Sequence, residues 1–205
     1  MTEQVAEQKQ RLTLTDLLRK RFKGVLEPIA VFVNRSGLKP NTVTILGLMG
    51  NALGAYFLAR GQMTIGGILV LLMGPVDALD GAMARLRGEP TEFGAFVDSV
   101  TDRYSELLIF GGLLYYYLEQ GNVLMAMLAF VASAGSVLVS YTRARAQSLG
   151  METKVGILTR VERYLVLTPA LVFNIPQVAL WIMAVLTNLT ALQRILDVRS
   201  KARKL

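Results

Sequence analysis

Long apolar stretches with only short polar breaks between them dominate this chain. There are six, at approximately 41–59, 64–80, 93–118, 123–141, 161–173 and 176–192. Most approach the roughly 20 residues a helix needs to cross the hydrocarbon of a bilayer. Hydrocarbon offers backbone amides no water, so a spanning segment must pair its own N–H and C=O groups, as a helix does. Composition agrees: 53% of residues are hydrophobic, and 18% are charged against the roughly 25% usual in soluble domains. Mean hydropathy is +0.44. The expected fold is therefore an all-α integral membrane protein, one domain over 1–205, with about six transmembrane helices bundled over 41–197. The fifth stretch is the weakest, because Glu162 and Arg163 stand at its start.

Residues 12–34 read differently. Leu14, Leu17, Leu18, Phe22, Val25, Leu26 and Ile29 recur at helical spacing, while Arg19, Lys20, Arg21 and Lys23 supply charge. That pattern predicts an amphipathic helix lying in the membrane interface. The polar residues before it carry no signal-peptide pattern.

Orientation follows from the basic residues. With six spans and a cytosolic N-terminus, Arg60 is the only one of 22 Lys and Arg residues placed outside. The outer turns Glu-Gln-Gly-Asn (119–122) and Asn-Ile-Pro-Gln (174–177) carry none. A wrong span count would scatter the charges over both sides. The expected location is the cell membrane, multi-pass, with both termini cytoplasmic. The net charge of +7 sits beside apolar spans, where anionic lipid head groups lie, so membrane lipids and not nucleic acid are the expected partners.

Against that apolar background stand four acids, Asp77, Asp80, Asp98 and Asp102. A charge at bilayer depth costs roughly 2.5–3.5 kcal/mol on insertion scales. Such a cluster persists where something neutralises it. Asp77 and Asp80, three apart, share one helix face, and Asp98 and Asp102, four apart, share another. A short loop joins the two helices, which predicts antiparallel neighbours whose acids face each other at the cytosolic side. Four carboxylates make an all-oxygen site suited to Mg²⁺ or Mn²⁺. Gly81, Gly94 and Ala84 leave room beside it, and Arg85 offers a planar fork matched to phosphate. Metal ligands, small residues and one Arg describe a pocket for a nucleotide diphosphate. The chain has no Cys and no His, so thiolate and imidazole chemistry are excluded and a general base must be Asp, Glu, Lys or Tyr.

From Asp77 to Asp102 the sequence reads D-x2-D-G-x2-A-R-x8-G-x3-D-x3-D, eight set residues at set spacing. It resembles the CDP-alcohol phosphotransferase family, and the likeness extends from the amphipathic helix through the sixth apolar stretch. The resemblance implies two divalent metals and the CDP group of a lipid-linked donor, CDP-diacylglycerol. Asp77 and Asp98 correspond to ligands bridging both metals, Asp80 to a ligand of one and Asp102 of the other. Asp102 also corresponds to the general base. Gly81 and Arg85 match CDP contacts, Gly94 the residue that leaves room for it, and Thr91 a further nucleotide contact. Pro40-Asn41-Thr42-Val43-Thr44 matches the nucleotide-binding segment that opens the first span, which adds Asn41, Thr42 and Thr44. The implied reaction is attack of an acceptor hydroxyl on the phosphorus bearing diacylglycerol, with release of CMP. A homodimer is the family expectation.

The acceptor is read from the second half. Several Arg residues at the mouth of a metal site suit an alcohol carrying its own phosphate. Ser-Tyr-x-x-Ala-Arg-Ala from Ser140, then Gly-x-x-x-Arg-x-Glu-Arg from Gly156, resemble the phosphatidylinositol phosphate synthase branch, as does Asp102-Arg103. Carried over, Ser140, Arg143, Arg160 and Arg194 would bind the phosphate of inositol phosphate. Thr159 and Val161 flank Arg160 where that branch leads one to expect Glu and Pro. A glycerol 3-phosphate-using enzyme of the same family is the nearest alternative. A divalent-cation transporter is the alternative of another class, but all four acids fall on the cytosolic side and no inverted repeat is visible.

Overall fold

The computed structural model describes residues 14–88 and 91–203. Leu12, Thr13, Glu89, Pro90, Lys204 and Leu205 lie outside the described residues, as do the side chains of residues 14–23 and 25, including Arg19, Lys20, Arg21 and Lys23. Among the described residues there are seven helices and no strand: α1 Leu14–Arg35, α2 Pro40–Ala59, α3 Met63–Leu86, α4 Glu92–Glu119, α5 Val123–Ser148, α6 Arg160–Val172 and α7 Pro176–Ala202. Punctuation sets their ends. Pro40 and Pro176 open helices where the missing N–H costs nothing. Gly37, Gly61, Gly88 and Gly121 turn the chain with positive φ.

Four helices, α2, α3, α5 and α7, are long and apolar enough to cross a membrane. The apolar runs understate their length, since α3, α5 and α7 continue to Leu86, Ser148 and Ala202. The four aspartates thus sit inside helices and not in loops. α4 has 28 residues but carries Glu92, Asp98, Asp102, Arg103, Glu106 and Glu119 along its length. α6 has only 13 residues, about 20 Å of helix against a hydrocarbon core of about 30 Å.

The core is built on close approach of small residues. A Cβ on Gly66 would lie 2.7 Å from Leu58 and 2.8 Å from the Gly54 carbonyl oxygen, so α2 and α3 touch backbone to backbone. A Cβ on Gly67 would lie 2.6 Å from the Val172 nitrogen, which seats the end of α6 on α3. Leu58, Phe110, Leu113, Leu171, Leu180 and Met183 fill the main core. A second cluster joins Ala30 of α1 to Val43 of α2 and Leu79, Ala82 and Met83 of α3. This cluster holds α1 against the end of α3 that carries Asp80.

One expectation is corrected. α3 and α4 are not packed neighbours: α2 packs against both, α3 also takes α6 and α1, and α4 takes α5. The glycines and alanines of α2 offer a better packing surface than the acid-bearing faces of α3 and α4. The backbones of α3 and α4 have few close approaches.

Candidate active site

α3 and α4 nevertheless bring their acids together through side chains. Asp77, Asp98 and Asp102 each place a carboxylate oxygen within 4.8 Å of the others. One turn of α3 presents Asp77, and one turn of α4 separates Asp98 from Asp102. Three convergent carboxylates, all oxygen donors, fit a hard divalent cation. The cluster is already paired with positive charge. Arg160, the first residue of α6, donates from Nη2 to both Asp77 and Asp102. Arg103 donates from Nη1 to Asp102 Oδ2 at 3.1 Å and to the Ser99 carbonyl at 2.8 Å. Asp102 is the more enclosed of the paired acids, 9% exposed against 30% for Asp77.

Asp80 stands apart from that trio. It is buried, accepts from Thr44 Oγ1 at 2.5 Å and receives the Gly81 N–H on its other oxygen. Thr44 also bonds back to the Pro40 carbonyl at 3.2 Å. The opening turn of α2 is thereby latched to the acid pair of α3, a link between the two sequence segments that spacing alone does not reveal.

The other expected donor-side residues gather around this latch. A Cβ on Gly81 would meet only Arg85 Nη1, at 3.4 Å, so the surface above Gly81 is open and Arg85 overhangs it. A Cβ on Gly94 would lie 3.0 Å from Thr91 Oγ1 and 3.6 Å from Asn41 Oδ1, which brings Asn41, Thr91 and Gly94 together. Thr91 also caps α4, its hydroxyl oxygen accepting the Gly94 N–H at 2.9 Å. Thr42 is exposed and, two residues from Thr44, lies on another face of α2.

On the opposite side, the segment 149–159 links α5 to α6 and is pinned by α7. Arg194, 3% exposed, donates from Nε to the Val155 carbonyl at 3.0 Å and from Nη1 to the Val139 carbonyl at 2.5 Å. Thr190 Oγ1 accepts the Leu158 N–H at 3.0 Å. Lys201 donates to the Glu152 carbonyl at 2.5 Å. In this segment Lys154 holds the exposed Glu152 carboxyl below its ordinary range through a hydrogen bond and its charge. Arg194 therefore acts as a backbone clamp beside Ser140 and the segment leading to Arg160. Arg143 is exposed one turn beyond Val139. Of the expected acceptor residues, Arg160 is the one in contact with the acids.

Sequence reasoning gave no role to Glu106 or Arg163 as a pair. Arg163, 3% exposed, donates from Nε and Nη2 to Glu106 Oε1 at 3.0 and 2.8 Å. The available signal was a third acid on one stripe of α4, since Asp98, Asp102 and Glu106 recur every fourth residue.

The sequence and the fold are similar to those of known proteins. Residues 38–192 match the CDP-alcohol phosphatidyltransferase family. The chain is similar to the phosphatidylinositol phosphate synthase of Streptomyces avermitilis, 38% identical over 92% of this chain and 84% of that one. It is also similar to the archaetidylinositol phosphate synthase of Pyrococcus horikoshii, 32% identical over 90% of this chain and 96% of that one. The fold superposes on the Mycobacterium tuberculosis phosphatidylinositol phosphate synthase crystallised with CDP-DAG bound. The TM-score is 0.80 at 31% identity, covering 85% of this chain and 93% of that one. The same enzyme in complex with manganese and citrate matches with a TM-score of 0.78 at 31% identity, covering 84% and 88%.

Proposed function

This chain belongs to the CDP-alcohol phosphatidyltransferase family, and we propose that it transfers the phosphatidyl group of CDP-diacylglycerol to inositol phosphate, giving phosphatidylinositol phosphate and CMP. The observation that carries this reading is the convergence of Asp77, Asp98 and Asp102 within 4.8 Å, beneath Arg160. A carboxylate trio with an Arg at its rim joins a metal site to a phosphate-recognition group. The activities for which the relatives are named, both of them inositol phosphate-type synthases, support the same acceptor.

Asp77 and Asp98 would serve both of two divalent ions, Asp80 would serve one and Asp102 the other. When bound, Mg²⁺, or Mn²⁺ as in the related crystal structure, supplies neutralisation of the pyrophosphate and of charge developing during transfer. The remaining work falls to the chain. Asn41, Thr42, Thr44, Gly81, Arg85, Thr91 and Gly94 would form the CDP side, with Arg85 as the phosphate fork. Ser140, Arg143, Arg160 and Arg194 would form the acceptor side. Arg160 would hold the acceptor's phosphate, and Arg194 would serve chiefly by clamping the segment that delivers Arg160. Asp102 would accept the proton of the acceptor hydroxyl as its oxygen bonds to the phosphorus bearing diacylglycerol. The bond from that phosphorus to CMP breaks at the same time. Positioning supplies much of the rate in phosphoryl transfer of this kind.

The setting we propose is six spans with both termini cytoplasmic, α4 and α6 included, α1 in the interface, and a homodimer. α6, although short, packs on α3 and α7, which allows its first turn to end at the depth of the acids. The deciding experiment is an acceptor panel. Purified protein with CDP-diacylglycerol and Mg²⁺ should release CMP with inositol phosphate. Release with glycerol 3-phosphate alone would overturn the acceptor assignment while keeping the reaction.

A further inference from the structure

α6 and α4 are tied together twice, one helical turn apart. At the site, Arg160 pairs with Asp102 and Asp77. One turn along, Arg163 grips Glu106 Oε1 with two guanidinium nitrogens, at 3.0 and 2.8 Å. Asp102 and Glu106 are four apart on α4, and Arg160 and Arg163 three apart on α6, so each pair shares a helix face. The result is a two-rung ladder. Backbone packing does not supply this link, because α6 packs on α3 and α7 while α4 packs on α2 and α5.

The lower rung is a poor device for stability alone. Arg163 is buried, and both Glu106 Oε2 and Arg163 Nη1 are enclosed without a hydrogen-bond partner. A buried ion pair with unsatisfied atoms is commonly matched or bettered by apolar residues of similar volume. Its value lies in the geometry it imposes.

The rungs also have different fates, if the function proposed above holds. Asp77 and Asp102 would be engaged as metal ligands, which would free Arg160 of the upper rung for the acceptor. The lower rung involves none of the four aspartates and can persist. We infer that Glu106 and Arg163 are a positioning pair: they hold the first turn of α6, and with it Arg160, on the acceptor side of the site once the carboxylate partners of Arg160 are occupied.

The test uses full-length protein in detergent or liposomes and two variants, Glu106→Gln and the apolar double variant Glu106→Leu with Arg163→Met. Both should raise KM for the acceptor about tenfold to a hundredfold, the scale of a misplaced positioning group. KM for CDP-diacylglycerol and the Mn²⁺ affinity, measured by direct titration without substrate, should stay within about twofold of the parent, because no metal ligand is altered. The double variant removes both charges of this rung together, so its melting temperature should match the parent while its acceptor KM stays high. A double variant with parental acceptor KM would overturn the proposal and make the pair purely structural. Equal rises in donor and acceptor KM, or weakened Mn²⁺ binding, would overturn it too. The acceptor is whichever alcohol phosphate the parent protein turns over, so failure of the inositol phosphate assignment is read separately from failure of the pair.

Discussion

Asp77 and Asp80 lie three residues apart on α3, yet their surroundings set them to different work. Asp77 is partly exposed and meets Arg160, whereas Asp80 is buried and held by Thr44 and the Gly81 amide. Asp102 combines the two situations, being enclosed like Asp80 and paired like Asp77. An enclosed carboxylate beside Asp77 and Asp98 is a candidate to receive a proton in a chain without His. Asp102→Asn should therefore lower CMP release by about 10²–10⁴-fold, the usual worth of a general base. The melting temperature should remain near that of the parent protein. Turnover close to the parental rate would remove Asp102 from that role. The identities of these acids were legible in the sequence because charge in an apolar run is rare and costly. The Thr44–Asp80 contact spans 36 positions, and no local periodicity reports a contact of that range.

At the scale of elements, α3 shows how a helix breaker is accommodated. Pro75 lies inside α3 and has no N–H to give the Leu71 carbonyl. Tyr164 of α6 supplies the missing donor, its hydroxyl reaching the Leu71 carbonyl at 2.7 Å. Gly74 makes room for the ring, since a Cβ there would lie 2.5 Å from Tyr164 Cζ. The proline that disrupts α3 thus creates the docking point for the helix that bears Arg160. Tyr164→Phe keeps the ring and leaves the carbonyl unpaired, which should cost about 1–3 kcal/mol. A lowered midpoint in a thermal or denaturant melt would register it, and an unchanged midpoint would show that the hydroxyl contributes nothing. The segment 149–159 behaves in a similar way. Thr159 and Val161 depart from the residues expected beside Arg160, but the segment's path is held from α7 by Arg194, Thr190 and Lys201. Its conformation is thus anchored at Glu152, Val155 and Leu158, the last directly before Thr159.

For the whole molecule, the distribution of basic residues makes a topological claim that can be checked cleanly, because the chain contains no Cys. A single Cys at Gln120, in the turn between α4 and α5, should react with an impermeant maleimide in intact cells. One at Ser148, at the end of α5, should react only after permeabilisation. Labelling of both from the same side would refute the six-span arrangement with cytosolic termini. The arrangement of α2 between α3 and α4 was not legible in advance. A short connection suggests neighbouring helices, but packing follows the surfaces that fit, and Gly54 against Gly66 fits more closely than two acid-bearing faces.

Hydropathy and charge along the chain were enough to establish an all-helical membrane protein, because hydrocarbon leaves the backbone so few ways to pair its polar groups. The spacing of Asp77, Asp80, Asp98 and Asp102 was enough to point to a divalent-metal site, because carboxylates at three- and four-residue intervals must share helix faces, and the expectation of a nucleotide diphosphate came from Gly81, Ala84, Arg85 and Gly94 beside them. Tertiary structure decided the rest. It set Asp80 aside on Thr44, placed Arg160 over Asp77 and Asp102, turned Arg194 into a backbone clamp and joined Glu106 to Arg163. Each of these links residues distant in sequence, and which of them meet depends on how small side chains let whole helices approach.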